Sequence, residues 1–429
     1  MNQKTSILIA VLVVTVVGIC NAASGDLADE NAELKQRVQQ LDQELEEVKS
    51  ALYSDEELDE LPKPILSNLD VDFYGYLKLD MAYDTSRIEN GNYAQWAEQE
   101  HDNDDDNQFN MTAKESRFGL NINGPDNGSM QTSGRVEVDF YGAGGAENKA
   151  ELMMRHAYIK LDWPESKFDI IAGQTSDVIS PLYPSTINYS VGWWVGNIGY
   201  RRPQIRITKE LDFVSGGSLK LEGALARTIG RQDMTTDPTD SGEDAGFPTL
   251  QGRVSTTVPL FFSRTATLGL SAHVGEEEYD ITDTGSNTDF DTWSVNFDIT
   301  QPVFDMVTIQ AELFTGENLD AYFGGIGQGV TTSGTNIYEE IGSKGGWIAA
   351  SIGPWKNKKF NVGIAVDDVD RDDVNDGDRI LNRCLFANVV CPINAQTDFG
   401  FELSHWRTEY HGSGDAESLR AQMALKYKF

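Results

Sequence analysis

The spacing of apolar residues changes from seven to two at Val71, and the two periods predict two kinds of structure. Upstream, Leu27, Leu34, Leu41 and Val48 take the d positions of a heptad, and Asn31, Val38, Leu45 and Leu52 take the a positions. Glu30 with Lys35, Arg37 with Asp42 and Glu44 with Lys49 are then g-to-e pairs of opposite charge. A parallel coiled coil makes such pairs between neighbouring chains, with Asn31 suited to register control. A single amphipathic helix lying on another surface also satisfies the apolar row. Pro62 and Pro64, in an acidic stretch from Ser54 to Asp70, end the helical pattern.

From Val71 to Tyr83, Val71, Phe73, Gly75, Leu77, Leu79, Met81 and Tyr83 form one face, and Asp72, Tyr74, Tyr76, Lys78, Asp80 and Ala82 form the other. A strand of this length crosses a bilayer when tilted. The alternation recurs, for example at Phe118 to Ile122, Ala157 to Trp163, Ala266 to Val274, Trp293 to Ile299 and Phe360 to Val366, and weakly near Ile380 to Leu385. With the closing row Leu419, Ala421, Met423, Leu425, Tyr427 and Phe429, sixteen candidate crossings are counted. Connections alternate between short turns, such as Pro164 to Lys167 and Gly353 to Lys358, and longer acidic ones, such as Asp84 to Thr112, Glu276 to Asp289 and Asp367 to Asp378. That asymmetry is expected of an all-β, 16-stranded antiparallel transmembrane β-barrel. A periplasmic β-sandwich or adhesin alternates in the same way strand by strand, but does not account for the regular short and long connections.

Composition narrows the picture further. A net charge of −34 argues against a nucleic-acid partner. No apolar run beyond the N-terminus reaches the roughly 20 residues of a spanning helix. Lys4, the apolar run Ile7 to Ile19 and Cys20-Asn21-Ala22 have the three parts of a secretory signal with cleavage after Ala22; a short anchor helix and a lipid-modified Cys20 are the alternatives. The expected organisation is a signal peptide over 1–22, a periplasmic coiled coil over 23–53, a linker over 54–70 and a barrel over 71–429. Cys384 and Cys391, seven apart, could form a local disulfide or stay reduced.

Side-chain parity assigns the barrel interior. If the apolar rows face lipid, Arg117, Arg135, Arg206, Arg253 and Arg420 point inward, together with Glu137, Asp139, Asp298, Glu312 and Glu402. Arg201 and Arg202 join them near a long loop, Thr175 to Tyr200, which carries Trp193 and Trp194. Adjacent Trp residues suit a loop folded into the barrel to narrow it, or one packed at a subunit contact. Arg beside Arg without acid nearby points to anionic solutes at a constriction. Arg155 and Arg227 fall on the lipid parity and require a bulge, an interface or a strand end. His273 shares parity with Ser271 but lacks a convergent set for catalysis. Asp102-Asn103-Asp104-Asp105-Asp106 lacks calcium-loop spacing. Neither an enzyme, a cofactor nor a metal site is expected.

The segments FYGYLKLDMAYD, SRFGLNI, RHAYIKLDW, IAGQTSDVISPLYP, YRRPQIR and MALKYKF together resemble the outer-membrane porin superfamily. A periplasmic coiled coil before sixteen strands is similar to the trimeric DcaP-like porins. The resemblance implies a homotrimer, passive diffusion of small polar solutes, a constriction loop after IAGQ lined by YRRPQIR and, in some members, a preference for dicarboxylates. The expected surroundings are outer-membrane lipid and lipopolysaccharide, with the terminal Phe429 presented to the barrel-assembly machinery. The alternative is a structural or adhesive protein with a plugged barrel that tethers the membrane to periplasmic material.

Overall fold

The structure is a computed structural model that describes residues 70–429 apart from 100–105, 126–127, 146, 214–216, 231–241, 262–263, 282–285 and 334–335. The heptad residues Leu27 to Leu52 and the signal segment lie outside the described residues. In chain order the strands are β1 (Asp70–Asp84), β2 (Gln108–Thr112), β3 (Arg117–Asn123), β4 (Gln131–Asp139), β5 (Met153–Trp163), β6 (Phe168–Ser176), β7 (Arg201–Asp212), β8 (Ser218–Ala226), β9 (Thr249–Pro259), β10 (Thr265–Ile281), β11 (Ser286–Phe304), β12 (Val307–Glu317), β13 (Val330–Ser333), β14 (Asn336–Glu340), β15 (Gly342–Trp355), β16 (Lys358–Val369), β17 (Arg379–Pro392), β18 (Thr397–Tyr410) and β19 (Ala416–Lys428).

Seventeen of these strands form one antiparallel sheet that closes on itself, because β1 pairs with β19 on one side and with β2 and β3 on the other. β2 and β3 are two pieces of a single crossing, which makes sixteen crossings; β13 and β14 form a separate hairpin. The interruption at 113–116 turns Glu115 and Ser116 inward, where Ser116 Oγ accepts from the Lys78 amide at 3.0 Å. The closing register runs from Tyr76 opposite Lys428 to Asp84 opposite Arg420. Phe429 continues it, exchanging two backbone bonds of 3.2 Å with Gly75 and stacking on Phe73 at 5.3 Å.

The alternating rows divide the wall as expected of a barrel in lipid. Leu77, Ile159, Ile205, Leu270, Leu313 and Leu385 are each about half exposed on the outside, while Arg420, Arg253, Glu137 and Asp298 are buried inside. Closure pairs each wall strand with two neighbours, so among the described residues lipid meets no open strand edge. No helix among the described residues is long and apolar enough to cross a membrane.

Several boundaries differ from the pattern-based expectation. The connection expected from Asp84 to Thr112 ends in β2, and most of the one expected from Glu276 to Asp289 is strand, since β10 reaches Ile281 and β11 starts at Ser286. In both places a polar, acidic sequence masks the alternation while the ladder continues beyond the lipid-facing rows. The weak row near Ile380 belongs to a full strand, β17. Arg155 reaches the interior through a bulge: Glu137 pairs with His156 but Val138 with Met154, which turns both Arg155 and His156 inward. Arg227 lies one residue past β8 and pairs at 3.5 Å with Glu243.

Candidate pore and its lining

Among the described residues, three connections on the long-loop side fold back into the barrel. The first inward loop, 177–200, places Trp193 and Trp194 inside, 3% and 5% exposed. Buried backbone needs partners, and wall side chains supply them. Gln251 accepts from Val178 N, Glu312 from Leu182 N and Glu402 from Ile187 N, each at 2.8 Å. At Gly196, with φ of +119°, a Cβ would stand 2.4 Å from the Gly346 carbonyl oxygen, so the loop can lie this close to the wall only as glycine. The second inward connection, 318–330, docks on the first: Trp194 N donates to Phe323 O and Gly199 N to Tyr322 O, both at 2.8 Å. The Phe323 ring packs within 4.4–4.8 Å of Trp194, Tyr200 and Trp193.

Below this aromatic layer, toward the short turns, lies a cavity of about 490 Å³. Lys78, Arg117, Arg135, Arg155, Arg201 and Lys426 line it, against Glu115, Glu137 and Asp398. Glu137 is the hub of one wall. Arg117 at 3.5 Å, Arg135 at 2.7 Å and Arg155 at 2.9 Å all converge on it, so one carboxylate faces three guanidinium groups. Asp139 takes a second contact from Arg155 at 2.6 Å and a hydrogen bond from Tyr189 at 3.0 Å. On the facing loop side, Arg201 is 4% exposed and stacks over Tyr200 at 4.5 Å and Trp193 at 5.6 Å. Its Nε and Nη2 have no hydrogen-bond partner among the described residues. A buried guanidinium with free donors on a cavity wall is suited to accept an anion.

Residues 27–227 match the model of the DcaP outer membrane protein family. Over that stretch, a little under half of the chain, the sequence is similar to this family. Its fold is similar to the outer membrane channel DcaP of Acinetobacter baumannii, with a TM-score of 0.67 at 20% identity, covering 85% of this chain and 98% of that one. It is also similar to an anion-selective porin from Comamonas acidovorans (TM-score 0.50, 13% identity, 84% and 100% covered). A third likeness is to the trimer form of OmpT from Vibrio cholerae (TM-score 0.50, 10% identity, 84% and 99% covered). No curated protein matches the sequence.

Within the barrel the remaining inward arginines are engaged by partners rather than open. Arg202, 1% exposed, pairs with Asp177 at 2.8 Å, lies over the Tyr322 ring at 3.9 Å and donates to Ala321 O. It therefore joins the two inward loops and does not line the cavity, contrary to the expectation that both adjacent arginines serve a constriction. Arg253 is held by both oxygens of Asp298, at 3.0 and 2.7 Å, and by Glu222 at 3.1 Å. Arg420 is held by both oxygens of Asp84, at 3.0 and 2.8 Å. Arg206 is engaged by Gln204 at 3.0 Å and by the Ser176 carbonyl. Glu312 accepts from Trp347 Nε1 at 3.1 Å as well as from the loop.

Cys384 is a free, buried thiol on the inward face of β17. Cys391 is seven positions further along the same strand, on the opposite face and about 23 Å away. A disulfide needs Cα atoms about 6 Å apart, so these two cysteines are not joined. Lys78, Glu115, Arg155 and Lys426 line the cavity without having been singled out from the sequence. Lys78 and Lys426 lie on the polar rows of β1 and β19, and that was their only available signal.

The third inward connection is the segment 85–99, a hairpin strapped across the mouth. Its legs join through Glu89 N to Trp96 O at 2.9 Å, and it reaches the far wall through Ala97 N to Thr408 Oγ1 at 2.9 Å and Asn382 Nδ2 to Gln95 O at 2.8 Å. The hydrogen bond that protonated Glu89 donates to the Glu98 carboxylate, reinforced by burial, pushes the Glu89 carboxyl up to about 7. The raised value means that the docked strap holds a proton that the released loop lacks. This stabilisation is full below the ordinary carboxylate range and is lost as pH rises through about 7. Protease cleavage within 85–99 should accelerate severalfold between pH 5 and pH 8, and Glu89→Gln should flatten that profile. An unchanged profile in Glu89→Gln would show that another group controls the strap.

Proposed function

We propose that this protein is a homotrimeric porin that passes small hydrophilic solutes through the outer membrane without energy input and favours anionic ones. The observation that carries the reading is Arg201. It is buried on the wall of a cavity with more cations than carboxylates, and two of its donor nitrogens are unpartnered among the described residues. Solute would pass between the Glu137 cluster on β4 and the tip of the first inward loop, where Tyr183 and Ile187 face the same space. The field there is positive although the chain as a whole carries −34. In this reading the short-turn side faces the periplasm and holds the coiled coil, whose heptads Leu27 to Leu52 assemble the trimer. The long acidic loops face outward.

The test is conductance in planar bilayers under a salt gradient. The expected result is conductance in steps of three with a reversal potential on the anion side. A cation-side potential would sink the selectivity assignment. The three inward loops also suit a plugged barrel that serves as a tether, and a folded, membrane-inserted protein without conductance would favour that reading.

A further inference from the structure

The hairpin of β15 and β16 differs from the rest of the chain in charge. Residues 341–366 contain no Asp or Glu, although the sequence has 68 of them, yet include Lys344, Lys356, Lys358 and Lys359. Three of these lysines cluster at the short turn beside Trp355, which is 54% exposed. Lys356 Nζ lies 5.3 Å from the centre of the indole, and the Phe360 ring is 6.3 Å from it. Lys356 and Lys359 are exposed and Lys358 is partly buried.

Other aromatic positions at this end of the barrel pair their cation with a carboxylate. Near the Trp163–Phe168 contact, Lys167 meets Asp212 at 2.6 Å. Between the exposed Phe261 and Phe304, Arg264 meets Asp305 at 2.6 Å. Beside Phe429, Lys428 meets Asp398 at 2.9 Å. Lys356, Lys358 and Lys359 have no ion pair among the described residues. Their charge is therefore uncompensated at this turn.

We propose that the Trp355 turn binds the headgroup of an anionic phospholipid in the leaflet at the short-turn end. An exposed Trp at the end of a lipid-facing row sits at headgroup level. The outward residues Ile348, Ile352, Val362 and Ile364, each 39–49% exposed, continue the row into the bilayer and would carry the acyl chains. The Lys356 ammonium beside the indole, with Lys358 and Lys359 in the same turn, then meets the phosphate where the surrounding dielectric is low and attraction to anionic lipid is strong. The chain's large negative charge elsewhere repels such lipids, which makes this turn a discrete site. The inference rests on the barrel lying in a membrane and is independent of solute preference.

The test uses the full-length protein in nanodiscs of phosphatidylethanolamine with a minor fraction of phosphatidylglycerol, with retained lipid measured by mass spectrometry after mild detergent extraction. Wild type should retain phosphatidylglycerol about fivefold over its bulk share. The triple variant Lys356→Gln, Lys358→Gln, Lys359→Gln should fall to the bulk share, and the corresponding triple Arg variant should keep the enrichment. Heat-modifiable mobility confirms that each variant is folded. Equal enrichment in wild type and the Gln triple, or none in wild type, overturns the proposal. Loss in the Arg triple overturns it too, and so does lysine-dependent retention by isolated peptidoglycan without lipid enrichment.

Discussion

Arg201→Gln is expected to move the reversal potential toward cations while leaving the barrel folded and its unitary conductance within about twofold. Arg201 has no carboxylate partner among the described residues, so its replacement strands no buried opposite charge there. At an effective dielectric of about 20, a unit charge roughly 6 Å from a passing ion contributes about 3 kcal/mol. Water and salt in the pore reduce that to about 1 kcal/mol. The expected change in anion-to-cation permeability ratio is therefore about fivefold. The paired cations Arg253 and Arg420 provide the control, because the carboxylates of Asp298 and Asp84 already cancel them. An unchanged reversal potential in Arg201→Gln would remove Arg201 from the solute path.

Arg202→Ala should behave in the opposite way: little direct effect on selectivity, but a large loss of order in the inward loops. Arg202 and Asp177 form a buried pair at 2.8 Å, and the same guanidinium reaches Ala321 O and the face of Tyr322. Removing it leaves Asp177 charged and enclosed, at a cost of about 3–5 kcal/mol. The outer wall is untouched, so the loss should appear locally, as proteolysis within 177–200 and 318–330 and as noisy, flickering conductance. The double change Arg202→Met with Asp177→Asn removes both charges and should recover much of the loop order. If Arg202→Ala alone gives a quiet pore with wild-type protease resistance, the pair does not hold the two loops together.

These contrasting expectations for neighbouring arginines show where sequence reading stops. The barrel was legible because lipid on one side and a wet or packed interior on the other impose a period of two on every crossing, and sixteen rows could be counted. The interior position of Arg117, Arg135, Glu137 and Asp139 followed from the same parity. Arg155 was not assignable, because one extra residue on β5 reverses the count and a bulge leaves no sign in composition. Arg201 and Arg202 looked equivalent in YRRPQIR. What separates them is Asp177, at the far end of the first inward loop, together with Tyr322 from a second loop more than a hundred residues later. Contacts between loops depend on how the closed wall presents them, and no local pattern encodes that. The cysteine spacing suggested a local bridge only while the continuity of β17 was unknown.

The seam between β1 and β19 bears on the order in which the barrel can form. Arg420 and Asp84, which meet there, are 336 residues apart in the chain. Every other neighbouring pair of crossings is made by strands consecutive in sequence, apart from excursions such as the β13–β14 hairpin. Bringing the two ends together carries a loop-closure entropy of about 5 kcal/mol if it is attempted early. It becomes nearly free once the intervening hairpins have curved the sheet until its edges are adjacent. Pairing from Tyr76–Lys428 to Asp84–Arg420, capped by Phe429 on Phe73, should therefore be the last and slowest event. Until then the half-made sheet exposes two long unpaired edges to other nascent chains.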